Sequence, residues 1–594
     1  MLCTYASAEN ADTSCILPSG ISAAQFANTM EDISGKGLSK NRTFASAGVG
    51  IFKGNEVLYT GYFGHTDIRN EIPADENSVY EWGSISKTFV WVSAMQLWER
   101  GMLDLDADIR GYLPEGFFRH LSYDDPITFM NLMNHNAGWQ ETMRLIETED
   151  ENVVLPLKEA LQACEPAQVH RPGEVTAYSN YGASLAGYVI ECVSGTDYCE
   201  YVHKNILEPL GMTHTSVNPT HSDNSWVREQ RRKLRCYRSD PLISDNMTDL
   251  GPCLSYIMPY PSGAVAGTLG DMMIFGQALV NDEAPLFRDP GTQQVLFTGT
   301  DYWGSSDIPR CCHGFWTEEH GVRTYGHSGA TNAGQANLIF DPVSKVGLAV
   351  MVNEPMGNAF LYNTPELVFG RLTVPEGASG VSLSGYYLCS RSLHRGMFRF
   401  MPYLTAVSLN EQAYDIGDGV ILLGDHNRAT MLADKTYPDG AKSLEYGSME
   451  LIRDDAYVAE LILLALYVIL AIAALYFIRL RHKLKKHGTY NAYSGSAVMA
   501  AGNIALVVSD VAWLGSYVIY SAFGGGIPFG VGAAVGAVQM ICAVLCAVSA
   551  VISVISLACG KKKAPAYIYV LNTVLNIIAV TAVLYFEMYM FWGC

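Results

Sequence analysis

The sequence predicts an α/β sandwich, in which helices pack against an antiparallel sheet, followed by a small β-barrel-like module and a four-helix transmembrane region. Three observations predict this class. Strand and helix patterns alternate over the first 375 residues, short strand candidates alone follow as far as residue 453, and four long apolar stretches fill the remainder. We therefore expect domains at 1–375, 376–453 and 454–594.

Charge and composition limit the functions that this chain can have. The formal net charge is −20, and no basic patch with interleaved aromatics is present, which excludes a nucleic-acid-binding protein. Hydrophobic residues make up 49% and charged residues 16%, which indicates a membrane portion. Neither a Cys-x-x-Cys pair nor a His-Glu-x-x-His run occurs, so we predict no metal and no cofactor.

The N-terminal part predicts a helix and a strand hairpin. Residues 1–13 show neither a basic n-region nor an apolar h-region, so we expect no signal peptide there. Residues 25–32 predict a short amphipathic helix. Residues 47–52 and 56–64 predict two strands joined by a turn at Lys53-Gly54-Asn55.

A proline-free apolar segment follows Ser84-Ile85-Ser86-Lys87 and predicts a helix that ends before Gly101. If Ser84 opens this helix, Ser84 and Lys87 lie three residues apart on one face. A desolvated lysine can take the proton of the serine hydroxyl, and the helix N-terminus stabilises the developing oxyanion. We interpret Ser84 as a nucleophile and Lys87 as its base. The alternative is a capping serine and a solvated lysine.

The rest of the first domain contains further helix and strand candidates. The predicted helices are 128–133, 183–193 and 271–279, and the predicted adjacent strands are 325–330, 336–342 and 347–353.

Three short motifs occur in a fixed order: Ser84-Ile-Ser-Lys87, Tyr178-Ser-Asn180 and His327-Ser-Gly329. With them, the sequence resembles the serine β-lactamase and penicillin-binding-protein superfamily, in particular the class C β-lactamase-related hydrolases, over roughly residues 24–355. The resemblance implies an α/β sandwich of the β-lactamase/DD-peptidase type and catalysis through an acyl-enzyme.

The resemblance also implies roles for the catalytic residues. Ser84 is the nucleophile and Lys87 its base partner, while Tyr178 shares the proton as a phenolate favoured by a neighbouring cation. Asn180 donates to the amide carbonyl of the substrate. The structural alternatives are a packed aromatic for Tyr178 and an Asx-turn for Asn180.

On the facing strand, the resemblance implies substrate-binding roles for His327, Ser328, Gly329 and Ala330. The backbone N–H groups of Ser84 and Ala330 form the oxyanion hole, and Gly329 permits close approach. The alternative for His327 is a histidine satisfied within the core.

His327 departs from the superfamily pattern, because most β-lactamases have Lys-Thr-Gly at this place. A histidine there is similar to certain DD-carboxypeptidases and favours a peptidase or esterase over β-lactam turnover. Its reference pKa is about 6.5, so we expect binding of a carboxylate to weaken as pH rises through about 6 to 7, with a neutral imidazole that still donates one hydrogen bond.

The module after the first domain contains four strand candidates, at 384–388, 403–409, 420–424 and 443–446. Its sequence indicates no chemistry. We interpret the module as a packing or substrate-gating element.

Four apolar stretches end the chain, at 461–478, 497–523, 531–558 and 566–586. Basic residues follow the first and the third, so both loops are expected in the cytoplasm. This predicts a multi-pass protein of the cell membrane with Ser84 outside the cytoplasm. Asp510, in the second stretch, is interpreted either as a functional site or as a partner of Asn503 or Asn572.

We therefore predict a membrane-anchored serine hydrolase that acts outside the cytoplasm on amide or ester bonds. The resemblance extends to membrane-anchored peptidases such as the prodrug-activating peptidase of the colibactin pathway, and it implies D-amino-acid-containing peptides as substrates. The predicted partners are a small peptide, amide or ester substrate and the lipid bilayer. Two alternatives remain: a β-lactamase or β-lactam-binding sensor without efficient turnover, and a transport or scaffold role of the spans.

Overall fold

The computed structural model describes residues 15–37, 44–142, 147–239, 247–281, 285–355, 358–486, 496–522, 529–559 and 566–590. Two sequence predictions lie outside these ranges. The absence of a signal peptide concerns residues 1–13, and the membrane orientation depends in part on the loops at 524–528 and 561–563.

A nine-stranded antiparallel sheet forms the centre of the first domain. Its strands, in spatial order, are Asp301–Tyr302, Pro309–Cys312, Phe315–Glu319, Arg323–Ala330, Gln335–Asp341, Val346–Val352, Ser46–Lys53, Glu56–Asp67 and Ile72–Pro73. The predicted hairpin is present, with Gly54 at φ 57° in its turn. The late strand Val346–Val352 pairs with the early strand Ser46–Lys53, so the sheet forms only when both ends of the domain meet.

Helices cover both faces of this sheet. Ala23–Gly37 and Ala359–Phe369 lie on one face, and Leu269–Val280 lies on the other with Ser86–Glu99 and Asn180–Ser194 behind it. Residues of one strand alternate between the two cores: Leu348 and Val350 pack on the first side, Ala349 and Met351 on the second. This period of two is what a strand buried on both faces requires.

Shorter elements connect these layers. The short helices are Phe129–Met133, Leu157–Ala163, Tyr198–Val202, Glu208–Leu210, Ser225–Arg231 and Pro290–Leu296. A small three-stranded sheet consists of Tyr80–Glu81, Ala266–Gly267 and Thr215–Ser216. Two further sheets have two strands each: Glu147–Thr148 with Tyr256–Ile257, and Cys236–Arg238 with Thr248–Gly251.

A closed six-stranded antiparallel barrel follows, which confirms the predicted β-barrel-like module. Its strands are Ser379–Cys389, Val407–Gly417, Val420–Gly424, Ala429–Thr436, Lys442–Tyr446 and Met449–Arg453. The prediction of a strand from residue 403 is wrong, because Met401–Leu404 is a short helix and the strand begins at Val407. Pro402 sits in the first turn of that helix, a position that suits proline.

Four long helices end the chain: Tyr457–Lys486, Ser496–Ala522, Phe529–Ala558 and Ala566–Tyr585. Each is long and apolar enough to cross a membrane, which supports membrane association. In the second helix, Asn503 donates to Asn572 Oδ1 at 3.0 Å. Asp510 Oδ1 has no hydrogen-bond partner among the described residues, so the predicted bond to Asn503 or Asn572 is not observed.

The 390–406 segment, between the first two barrel strands, contacts these long helices. The Phe400 ring packs edge-on against Trp513, with ring centroids 4.4 Å apart. Arg399 Nη1 donates to the carbonyl of Tyr585 at 2.8 Å, and Met397 N–H donates to the carbonyl of Met590. The barrel is therefore joined to the helix bundle through buried apolar and polar contacts.

A buried ion pair fixes the strand that leads into the Ser84 region. Arg231 is fully buried, and its Nε and Nη2 donate to Glu81 Oε1 at 2.8 and 2.6 Å. We predict that Arg231→Met lowers the free energy of unfolding by about 3–5 kcal/mol, because the Glu81 carboxylate remains buried without a counter-ion. Urea unfolding of the full chain in detergent, followed by tryptophan fluorescence, measures this change.

Arg232→Met is the matched control. Arg232 lies next in the chain, is half exposed and approaches Glu151 at 3.4 Å, so its loss is expected to cost less than about 1 kcal/mol. Equal destabilisation by the two substitutions would contradict the role assigned to the buried pair.

Candidate active site

Ser84 lies in a short 3₁₀ turn, Gly83–Ile85, that continues directly into the helix Ser86–Glu99. The prediction that Ser84 opens the α-helix is therefore wrong by two residues, although the turn keeps Ser84 and Lys87 close together. Gly83 adopts a φ of 53°, and a Cβ there would lie 2.6 Å from the backbone nitrogen of Ala330. Only glycine permits this approach between the turn and the facing strand.

Lys87 is fully buried beneath Ser84. Its Nζ lies within hydrogen-bond distance of three oxygens: Ser84 Oγ at 2.9 Å, Asn180 Oδ1 at 2.8 Å and the carbonyl of Ser262 at 2.6 Å. Burial lowers the pKa of Lys87 well below its usual value, and the charge of Arg391 lowers it further. An uncharged amine donates two hydrogen bonds to the two carbonyl oxygens, which leaves its lone pair for the Ser84 hydroxyl.

Tyr178 and Asn180 lie at the start of the helix Asn180–Ser194, where Ser179 accepts a hydrogen bond from Gly182 as the N-cap. Lys87 Nζ lies 4.8 Å from the centroid of the Tyr178 ring. Burial raises the pKa of Tyr178, and this outweighs the opposing effects of Ser84 and Arg391. The expected phenolate is therefore corrected to a protonated phenol, because burial penalises its charge more than the cation favours it.

His327 lies on the strand Arg323–Ala330 with its ring directed at Tyr178. Its Nδ1 is 2.5 Å from the carbonyl of Ser328, which only accepts, so Nδ1 carries the proton. Nε2 is then an acceptor, 3.4 Å from the Tyr178 hydroxyl. Burial, together with Lys87, lowers the pKa of His327 to about 3.

This geometry corrects two expectations for His327. Its pKa of about 3 means that it does not titrate between pH 6 and 7, so it causes no weakening of carboxylate binding there. Its one N–H group is already donated to Ser328, so the neutral ring has no N–H group left for a ligand. The physical reason is desolvation: His327 is only 5% exposed, and burial disfavours the charged imidazolium form of its ring.

The strand that carries His327 passes very close to the Ser84 turn. A Cβ at Gly329 would lie 1.9 Å from the carbonyl oxygen of Trp82 and 2.9 Å from the backbone nitrogen of Ser84. The backbones of Ser84 and Ala330 are therefore neighbours, as an oxyanion hole built from their N–H groups requires.

A cavity of about 410 Å³ opens above the Ser84 hydroxyl. The sequence-predicted residues that line it are Ser84, Tyr178, Asn180, His327, Ser328, Gly329 and Ala330. Lys87 lies below its floor. The fold thus brings together all eight residues predicted from the sequence.

The barrel also contributes to this cavity, through Arg391, Gly447 and Ser448. The Tyr178 N–H group donates to the carbonyl of Ser448 at 3.1 Å, so the turn before the last barrel strand is bonded to the tyrosine motif. These positions place the barrel at the cavity wall, which suits the packing or substrate-gating element that the sequence predicts.

Arg391 is the most important residue that the sequence did not reveal. Its Nε donates to Glu141 Oε2 at 2.9 Å, and its Cζ lies 4.8 Å from the Tyr178 ring centroid. It occurs in Ser390-Arg-Ser-Leu, which forms no recognisable motif. The same is true of Ser262, whose backbone carbonyl accepts from Lys87. No local signal identifies either position.

Comparison with known proteins supports this description. A family model described as Beta-lactamase matches residues 26–369, which is more than half of the chain. The crystal structure of SurE matches with a TM-score of 0.50 at 18% identity, covering 73% of this chain and 99% of that one. At this identity the likeness shows the fold alone, and it confirms the predicted α/β class.

Two curated relatives match over shorter stretches. The chain is 28% identical to Protein flp of Staphylococcus aureus strain N315 over 178 residues, which are 30% of the chain and 35% of that protein. It is 29% identical to Penicillin-binding protein 4* of Bacillus subtilis strain 168 over 174 residues, 28% of the chain and 36% of that protein. The matched segments thus span about a third of these relatives.

The approach of Gly329 to the Ser84 turn can be tested directly. We predict that Gly329→Ala slows covalent labelling of Ser84 by a fluorophosphonate by about 10²-fold, because an added methyl group pushes the strand off the turn by about 1 Å. Gly380→Ala is the control, since a Cβ there meets nothing within 4 Å. An unchanged labelling rate in Gly329→Ala would show that the close approach does not matter for reactivity.

Proposed function

The chain belongs to the Beta-lactamase family, and on that basis we propose that it is a serine hydrolase that cleaves amide or ester bonds through an acyl-enzyme on Ser84. The observation that carries the proposal is the Lys87 amine, which is buried and lies 2.9 Å from Ser84 Oγ. This arrangement supplies the base that a serine hydroxyl needs to become a nucleophile.

In the proposed acylation step, Lys87 takes the proton of Ser84 while Oγ attacks the substrate carbonyl. The N–H groups of Ser84 and Ala330 stabilise the oxyanion that forms. The protonated phenol of Tyr178 gives its proton to the leaving group, and Lys87 then returns the serine proton to Tyr178. Asn180 uses its Oδ1 to hold Lys87, which leaves its amide NH₂ to donate to the substrate.

The second step releases the acyl group. Water attacks the ester carbonyl in the same oxyanion hole, and the proton that it loses passes through Tyr178 and Lys87 back to Ser84. No charge has to be stabilised on His327, whose Nε2 accepts from the Tyr178 hydroxyl at 3.4 Å in the free site and gives up this hydrogen bond when the hydroxyl turns to the leaving group.

For the location and substrate we propose a multi-pass protein of the cell membrane, with its site outside the cytoplasm and D-amino-acid-containing peptides as substrates. The four apolar helices support the membrane location, and the basic residues after the first and third apolar stretches support the orientation. We propose the division of the chain at 1–375, 376–453 and 454–594.

Covalent labelling tests the proposal. A fluorophosphonate should add once to the full chain in detergent, and peptide mass spectrometry should place the adduct on Ser84. Ser84→Ala should abolish labelling while Ser194→Ala, at the far end of another helix, keeps it. An adduct on a different residue, or persistent labelling of Ser84→Ala, would sink the assignment.

The roles of Lys87 and Tyr178 lead to a rate prediction. Lys87→Ala and Tyr178→Phe should each reduce the acylation rate by roughly 10²–10⁴-fold, the usual contribution of proton transfer. Affinity for a D-peptide should change little, because neither side chain is expected to hold the substrate. Near-normal turnover of Lys87→Ala would rule out the proposed base.

Membrane orientation is tested by cysteine accessibility in intact cells. Cysteines placed at 485 and 562 should react only after permeabilisation, whereas a cysteine at 526 should react with an impermeant maleimide from outside. Labelling at 485 from outside would reverse the orientation, and with it the extracytoplasmic site.

A further inference from the structure

The cavity above Ser84 contains a cation that comes from the barrel. Arg391 follows the first barrel strand, lies at the cavity wall and has its Cζ 4.8 Å from the ring centroid of Tyr178. Lys87 Nζ lies 4.8 Å from the same centroid. A charged side chain from a separate module is therefore close to the reacting serine.

One edge of the Arg391 guanidinium is bonded and the other is free. Nε donates to Glu141 Oε2 at 2.9 Å, and this ion pair fixes the direction of the side chain. Neither Nη nitrogen donates a hydrogen bond to a described residue. The two Nη groups present a fork of N–H donors, whose geometry matches the two oxygens of a carboxylate.

The other candidate cations near the cavity do not offer a charge to a ligand. His327 donates its N–H group to Ser328, and Lys87 lies below the cavity floor with its nitrogen bonded to three oxygens. Among the described residues that line the cavity, Arg391 is the one permanently charged cation. Glu318 also lines it, but its carboxylate is 55% exposed and lies 3.3 Å from His320.

We propose that Arg391 binds a carboxylate of the substrate and makes the site selective for acyl donors that carry a free carboxylate beside the scissile bond. This inference rests on the proposed acylation of Ser84. It assigns the specificity of the catalytic domain to a residue of the barrel, through a substrate contact that is separate from the effect of Arg391 on the pKa of Lys87.

The test measures protection of Ser84 from a neutral fluorophosphonate, which itself needs no carboxylate contact. N-acetyl-D-alanyl-D-alanine should slow labelling of the wild-type full chain at a lower concentration than its C-terminal amide does. Arg391→Gln should raise the half-protective concentration of the acid roughly 10- to 100-fold, the scale of a lost charge-assisted hydrogen-bond pair. The value for the amide should not change.

Two variants separate this role from a general structural one. Arg391→Lys keeps the charge but not the fork, so its preference for the acid should be intermediate. Arg453→Gln removes another barrel arginine, one that does not line the cavity and whose Nε lies 2.8 Å from Asp455 Oδ1. This variant should retain the wild-type preference for the acid. Equal loss of acid and amide binding in Arg391→Gln, or an unchanged preference for the acid, would overturn the proposal.

Failure of the proposed function is distinguishable from failure of this inference. If the wild-type chain is not labelled on Ser84, the acyl-enzyme proposal fails. Calorimetric titration of Ser84→Ala and of Ser84→Ala/Arg391→Gln with the acid and the amide then tests Arg391 without any reaction. Tighter binding of the acid that depends on Arg391 supports the inference, and equal binding of both ligands by Ser84→Ala overturns it.

Discussion

Lys87 is an amine kept out of water, and the chemistry of the site depends on the contacts that hold it there. Asn180 and Ser262, 93 and 175 residues further along the chain, supply two of the three oxygens around its nitrogen. A buried ammonium without such partners would cost several kcal/mol, whereas a neutral amine between two carbonyl oxygens is satisfied and keeps a basic lone pair. The basic amine beside Ser84 is thus a property of the folded domain and not of the local motif.

Much of the fold and of the site was predictable because the signals are local. Gly54 marks the turn of the hairpin, and the three-residue spacing of Ser84 and Lys87 brings them together in either a 3₁₀ turn or an α-helix. The residues predicted to meet across the fold do meet, since the family-like motifs specify both sides of the cavity. Four short strand candidates indicated the barrel, but the strands Ala429–Thr436 and Met449–Arg453 and the helix at Pro402 were not predicted.

What the sequence could not reveal depends on tertiary contacts. Arg391 reaches Glu141 across 250 residues, and no pattern near either residue indicates that pairing. The state of His327 follows from two facts that only coordinates contain: its burial, and the carbonyl of Ser328 beside Nδ1. The reference pKa of histidine predicts a pH-sensitive ligand contact, whereas desolvation converts the ring into a neutral acceptor for Tyr178.

The 390–406 segment has a practical consequence for how the protein can be prepared. A chain cut after Arg453 keeps the catalytic domain and the complete barrel, yet it loses the surface on which Met397, Phe398 and Phe400 are at most 2% exposed. Transferring such side chains to water costs about 1.5–3 kcal/mol each, and together they form an exposed hydrophobic patch that promotes aggregation. Because Arg391 belongs to the same segment, we expect a truncation without the helices to aggregate through the part of the chain that also lines the cavity, whereas a detergent micelle or nanodisc keeps it in place.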